Sequence, residues 1–208
     1  NLEKHTNKFP IVSIESCLKN YKIKKEEIDL VCLGFDQKKF IREKYLDMAL
    51  KDDRYIKVLI NDIEIIKKYL INEKIIKKYF PSNKIKIFDH YDCHHASVYF
   101  PSGLKKSLLV SYDGKAEINS SSIKVAKGNK FLDLKLFDKY PNSLGYIYAA
   151  ITHYLGWKFF CDEGIIMGLA PYGNAYTKKK EKKIIDIFRE IIKIKNKNVF
   201  IDESWISF

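Results

Sequence analysis

The stretch FDHYDCHHASVYF, residues 88–100, holds three of the chain's five histidines. His90 and His94 are four residues apart. On a helix that spacing puts both imidazoles on one face, one turn apart. Neutral imidazole is a common metal ligand, so such a pair at a helix start can hold one ion. Two partly exposed histidines account for the same spacing, and no third ligand can be picked from it. Asp92 and Cys93 lie off that face, and His95 points elsewhere, to the surface or to a supporting position. His5 and His153 are singletons and read as structural.

A second candidate is SYDGKAE, residues 111–117. Asp113 and Gly114 leave an apolar run, and a carboxylate at the C-terminal end of a strand stands where α/β proteins bind ligands. Backbone N–H groups of the following turn can hold a phosphate. Asp-Gly is equally the signature of a plain tight turn. The third is CDEGIIMGLAPYGN, residues 161–174, with Gly164, Gly168 and Gly173 around Met167 and Pro171. Gly168 beside Met167 allows close backbone approach to a flat ligand, and Glu163 beside Asp162 could bind ribose hydroxyls. A packing corner and a solvated acid explain the same residues.

These candidates need elements to position them. FPIVSIESCLKNYKI (9–23) has apolar residues at helical spacing: Ile11, Ile14, Cys17, Leu18 and Tyr21. Residues 28–35 read as a short buried strand, whereas 36–61 show no clear period. Residues 62–80 form an amphipathic helix, or two in succession, with a lysine-rich outer face, stopped by Pro81-Ser82-Asn83. Residues 84–89 are a strand running into the histidine helix, which Pro101-Ser102-Gly103 closes. Residues 106–114 read as a buried strand, followed by antiparallel neighbours over 120–128 and 130–140. Residues 141–156 are a helix with Ser143 as N-cap and Gly156 as C-cap. Residues 161–174 read as a loop, and 177–197 as a last amphipathic helix with a basic outer face. The order is mixed α/β, with no repeat, linker or composition break inside the chain.

Composition narrows the function classes. With 208 residues, 46% hydrophobic and 31% charged, the chain reads as an ordinary globular protein able to bury a substantial core. No apolar run approaches the ~20 residues of a membrane span. The opening NLEKHTNKFP has no apolar core of the signal-peptide kind and no initiator Met, so a fragment or processed chain is expected. Cys17, Cys32, Cys93 and Cys161 form no CxxC pair, which suits free thiols in a reduced, cytoplasmic setting. The net charge of +12 invites a nucleic-acid reading. All but three of the 38 basic residues are lysines, however, the exceptions being Arg42, Arg54 and Arg189. The lysines are scattered along helices among abundant Ile, Asn and Tyr, as an AT-rich genome would give. Base readers lean on arginine forks, so the composition argues against a nucleic-acid partner.

Four segments occur in one order: HYDCHHAS, SYDGKAE, PNSLGYIYAAITHYLGW and DEGIIMGLAPYGN. Together they resemble the carbamoyltransferase family of antibiotic and nodulation-factor biosynthesis. That family reads HHxxHAAS, DGxGE, SLGxxYxxxTxxLG and DEGKVMGLAPYG. EKHTNKFPIVSIESCLKNYKI (3–23) is similar to its KH–FP–AI–CL stretch, so the likeness covers nearly the whole chain. It implies an α/β, actin-like ATPase (ribonuclease H-like) fold, a mixed sheet flanked by helices, shared with sugar kinases and the universal protein that threonylcarbamoylates tRNA. Residues 1–208 would be part of one such N-terminal domain, mostly one lobe of two. The first strands, with a phosphate loop, are expected before Asn1. An Asp that serves as third metal ligand, the second lobe and a separate adenylate-forming domain are expected beyond Phe208.

The implied activity is a segment of an ATP-dependent O-carbamoyltransferase. Carbamoyl phosphate and ATP give carbamoyl-adenylate, and the carbamoyl group then moves to a hydroxyl of a small metabolite or sugar. Such a segment is not expected to turn over alone. The likeness implies a divalent metal, usually assigned as Fe2+, against the adenylate phosphate, and is compatible with Mg2+ and with a homo-oligomer. Carried over by motif, His90 and His94 are the metal histidines. Asp113, Gly114 and Lys115 lie at the phosphate, and Glu163, Gly164, Met167 and Gly168 line the nucleotide pocket. No catalytic acid or base is assigned. Tyr91, His95, Ala116 and Ile165 depart from the family pattern at its second His, an Ala, a Gly and a Lys. Ala116 restricts the phosphate turn only if that position needs positive φ, and Ile165 stands in place of a lysine that either faces a polyanion or lies at the surface. These two changes motivate the competing expectation of a non-catalytic, actin-like nucleotide-binding scaffold. Action on tRNA is a third, which salt-sensitive tRNA binding would reveal.

Overall fold

The computed structural model describes residues 9–114, 116–175, 178–196 and 198–202. Their order is α1 (Ile11–Asn20), β1 (Val31–Leu33), α2 (Gln37–Ile41), α3 (Asp47–Ala49), α4 (Arg54–Asn61), α5 (Ile63–Tyr79) and β2 (Ile85–Ile87). There follow α6 (His90–Tyr99), β3 (Lys106–Tyr112), β4 (Ser121–Lys127), β5 (Lys130–Leu136), α7 (Leu144–Tyr154), α8 (Glu163–Leu169), α9 (Lys178–Ile191), β6 (Ile192–Lys195) and β7 (Asn198–Ile201). The chain is thus mixed α/β. It divides into two compact units, residues 1–93 and 94–208. The division falls inside α6, which explains why no linker marks it. No helix among the described residues is long and apolar enough to cross a membrane.

In the first unit β1 and β2 pair in parallel, Val31 opposite Ile85 and Leu33 opposite Ile87. The expected buried strand over 28–35 is shorter and only half-buried, with Cys32 exposed. A parallel pair needs a crossover connection, and the helices of 37–79 supply it. The segment without a clear period holds α2, a π-helical turn at Arg42–Leu46, α3 and α4. The π turn inserts extra backbone, and both Lys44 and Tyr45 are buried on it. Tyr45 packs with Phe40 and Ile66 as the core of this unit. Lys44 is 4% exposed yet satisfied: its Nζ lies 3.1 Å from Asp62 Oδ2 and 2.9 Å from the Tyr45 hydroxyl. Residues 63–79 form one helix, not two, ending before Pro81.

In the second unit β3, β4 and β5 form an antiparallel sheet in that order. Parallel and antiparallel pairings therefore occur in separate sheets among the described residues, not in one mixed sheet. One face carries the core cluster Tyr99, Leu109 and Ala126, with Phe131 against it. The other exposes Leu108, Val110 and Tyr112. The strand read as fully buried is therefore covered on one face only, as antiparallel sheets commonly are.

Two further expectations are corrected. Residues 163–169 are α8, a helix where a loop was expected. Gly164 and Gly168 suggested punctuation, but both have open space where a Cβ would sit, and isolated glycines cost a helix only ~1 kcal/mol each. The last helix ends at Ile191, not at 197. After it β6 and β7 pair antiparallel, with Lys195 opposite Asn198 and Asn196 in the left-handed region at φ 51. The two-residue alternation of Ile and Lys in β6 is a strand period that the lysine-rich helix before it obscured.

Candidate functional site

Asp89 starts α6. Its Oδ1 accepts from the backbone N–H groups of Tyr91 (3.0 Å) and Asp92 (3.3 Å), and its Oδ2 lies 3.4 Å from Lys39 Nζ. An aspartate cap of this kind satisfies first-turn donors and places a negative charge at the positive end of the helix dipole. His90 stands in the first turn. Its Nδ1 is 2.9 Å from the Gly34 carbonyl, just past β1, and its ring meets Phe35 edge-on. His94 follows one turn later and is exposed, with Nε2 3.3 Å from Asp113 Oδ2. His95 is buried, edge-on to Phe131, and belongs to the core of its unit. His153 is exposed beside Phe159. His5 lies outside the described residues.

Asp113 sits where β3 ends. Its Oδ1 accepts from the Gly114 N–H at 2.6 Å, which leaves Oδ2 facing His94. The turn is held by α7. Ser143 caps that helix, accepting from the Tyr146 N–H at 3.0 Å, and its hydroxyl donates to the Gly114 carbonyl at 2.5 Å. Gly145 makes the approach possible. A Cβ there would lie 2.7 Å from Gly114 Cα and N and 2.9 Å from the Asp113 carbonyl carbon.

One donor atom from each of His90, His94 and Asp113 lies within 4.8 Å of the other two. Ligands about 2.1 Å from a metal are about 3.0–3.4 Å apart at octahedral to tetrahedral angles. The His94–Asp113 separation of 3.3 Å already lies in that range. Two imidazoles and one carboxylate also form the donor set of three-ligand transition-metal sites that leave coordination positions open. The residues present therefore fit a divalent ion.

Beside this cluster a cleft of about 380 Å³ is lined by Tyr112, Asp113, Gly114, Gly145, Tyr148, Phe160 and Glu163. Gly145 brings the N-terminal turn of α7 to its wall, and helix N-termini favour anions. Glu163 Oε1 accepts from the Phe160 N–H at 2.7 Å. Phe160 is held in the left-handed region at φ 58, an uncommon conformation for an aromatic residue, with its ring against Gly114. Of the residues singled out in the sequence, Asp113, Gly114 and Glu163 thus share one cleft. Gly164, Met167 and Gly168 sit on α8 outside its lining, and Lys115 lies outside the described residues. Sequence reasoning did not pair Asp113 with the histidines, because 19 residues separate it from His94. It also missed Gly145, whose signal was its place in the SLG block.

The ordered motifs, the α/β units and this cluster define one class: the chain belongs to the carbamoyltransferase N-terminus family, whose pattern matches residues 2–203. More particularly, it is similar to nodulation protein NolNO of Sinorhizobium fredii. The two are 27% identical over 202 residues, covering 97% of this chain and 28% of that protein. It is 37% identical over 86 residues to nodulation protein NolO of Bradyrhizobium diazoefficiens, covering 41% of this chain and 15% of that protein. The same identity over 86 residues, 41% of this chain and 14% of the relative, relates it to uncharacterized protein sll1178 of Synechocystis. The matches thus span between 14% and 28% of these relatives' lengths.

Proposed function

We propose that the chain supplies the metal and phosphate side of an ATP-dependent O-carbamoyltransferase with an actin-like fold. The observation that carries this reading is the double use of Asp113. Its Oδ2 faces His94, and its residue walls the cleft that the α7 N-terminus also reaches. On this reading the cleft takes carbamoyl-adenylate, made from carbamoyl phosphate and ATP. The acceptor is a hydroxyl of a small metabolite or sugar. The acceptor oxygen attacks the carbamoyl carbon, the bond from that carbon to the adenylate phosphate breaks, AMP leaves, and the acceptor proton passes to solvent.

His90, His94 and Asp113 would hold the divalent ion, Asp113 taking the role that the resemblance gave to an Asp beyond Phe208, with Fe2+ matching the donor set. When bound, the ion supplies positive charge that offsets the phosphate and stabilises AMP as a leaving group. The chain's own groups do the rest. The Asp113–Gly114 turn and the α7 N-terminus orient the phosphate, and Gly145 keeps that approach free of side chain. Glu163, held by the Phe160 N–H, accepts from ligand hydroxyls. The Tyr112, Tyr148 and Phe160 rings keep water from one side of the cleft. The test is AMP release from ATP that depends on carbamoyl phosphate, measured on the purified full-length gene product with a panel of hydroxylated acceptors. The His90→Ala/His94→Ala variant should fall to background, while Cys17→Ser, at an exposed site, should match the wild type. Unchanged release from the double variant would remove the basis of the proposal.

A further inference from the structure

We infer that Gly34 is a positioning residue for His90, acting through its backbone carbonyl and through its missing side chain. This rests on the metal reading above and deepens it. A carbonyl oxygen can only accept, so the 2.9 Å contact fixes the proton of His90 on Nδ1 and leaves Nε2 as the lone-pair donor. Imidazoles that ligate metals almost always give their other N–H to a carbonyl or carboxylate, which sets both tautomer and ring direction. The edge-on contact with Phe35, the residue after Gly34, restrains the same ring from a second side.

Gly34, with no Cβ, lets the strand end lie close against α6 where its carbonyl meets His90. A Cβ there would lie 3.1 Å from Cys93 Sγ and 3.6 Å from Cys93 Cβ, on the same helix as His90. The Phe88 N–H donates to the Leu33 carbonyl at 2.8 Å, so the chain just before α6 is tied to the end of β1. The end of β1 and the first turn of α6 are thus one unit, with Cys93 Sγ as the spacer between them. A methyl group at position 34 has to be met by a shift of a few tenths of an ångström between Cys93 Sγ and the strand end, and as the strand end gives, the carbonyl moves with it. Removing Sγ makes room again.

The experiment combines nitrogen-15 imidazole spectra of the metal-free protein with Co2+ titration followed by visible absorption. In the wild type, at a pH where imidazole is neutral, His90 should show the Nδ1–H tautomer. Gly34→Ala should lose that preference and bind Co2+ about 10–100-fold more weakly, the range for supporting partners of metal ligands. Gly34→Ala/Cys93→Ala should recover to within about threefold, and Cys93→Ala alone should bind as wild type does. A role in folding alone would lower the melting temperature without changing the tautomer. Wild-type His90 with its proton on Nε2 would overturn the inference, even if Gly34→Ala fails to fold. Normal Co2+ affinity in folded Gly34→Ala would overturn it too, while leaving the site intact if His90→Ala abolishes binding. Unchanged binding in His90→Ala would instead take down the metal reading itself, and this inference with it.

Discussion

Gly145→Ala should destabilise the protein, and the size follows from the contact it would make. The new methyl group would meet Gly114 Cα and N at 2.7 Å and the Asp113 carbonyl carbon at 2.9 Å. Non-bonded contacts of this kind settle near 3.5–4.0 Å, so about 0.8 Å must be found. All three atoms are backbone, and none can swing away. The turn is further tethered by Ser143 Oγ, which donates to the Gly114 carbonyl, and by the Asp113 carboxylate, which accepts from the Gly114 N–H. Overpacking costs about 1–3 kcal/mol, and alanine's better helix propensity returns part of it. A net loss of about 1–2 kcal/mol lowers the melting temperature by about 2–8 °C in a chain of this size. Gly168→Ala is the control. It lies in α8 with nothing within 4 Å, so it should gain about 0.5–1 kcal/mol. Thermal unfolding followed by circular dichroism reads both. If Gly145→Ala melted at or above the wild type, or if both alanines shifted the midpoint alike, the close approach of α7 to the Asp113 turn would be refuted.

Two further outcomes follow from the first unit. Asp62→Ala removes the carboxylate that faces the buried Lys44 ammonium and the Tyr45 hydroxyl. It should cost about 3–5 kcal/mol in urea unfolding, with most recovered in Asp62→Ala/Lys44→Met; equal losses in single and double variants would count against a buried pair. The Lys77 ammonium hydrogen-bonded to Glu73, opposed by partial burial and helped by Lys38, holds the Glu73 carboxyl below its ordinary 4.5. A depressed carboxylate adds stability that is fully present above about pH 4.5 and lost as the pH falls through its folded value. Both lysines are well exposed, so Glu73→Gln should cost only about 0.5 kcal/mol at pH 7. Wild type and variant should converge in strong acid, and a gap that widened there would reverse the sign of the argument.

What could be read from the sequence was mostly local. Helix α5 declared itself by its period and its closing proline, and α7 by Ser143 and Gly156, because caps and stops act within a few residues. The family likeness came from ordered short blocks, and the match over residues 2–203 bears it out. What failed was local conflict. Two glycines disguised α8 as a loop, and the basic run of α9 drew β6 into it. The extra residue of the π turn broke the period over 36–61. At the site, the histidine pair was legible because a helix places its own neighbours. Asp113 as their companion was not, nor was the Gly145–Gly114 contact across 31 residues of chain. Such proximities arise only when β3 and α7 have folded back on each other, and no spacing rule encodes them.

Metal analysis of the purified protein decides whether His90, His94 and Asp113 hold one divalent ion. The protein, loaded anaerobically with Fe2+ and freed of excess, should retain one ion per chain by plasma mass spectrometry. The His90→Ala/His94→Ala variant should retain none while remaining folded by circular dichroism. Wild-type protein emerging without metal, or the double variant keeping as much as the wild type, would contradict the account.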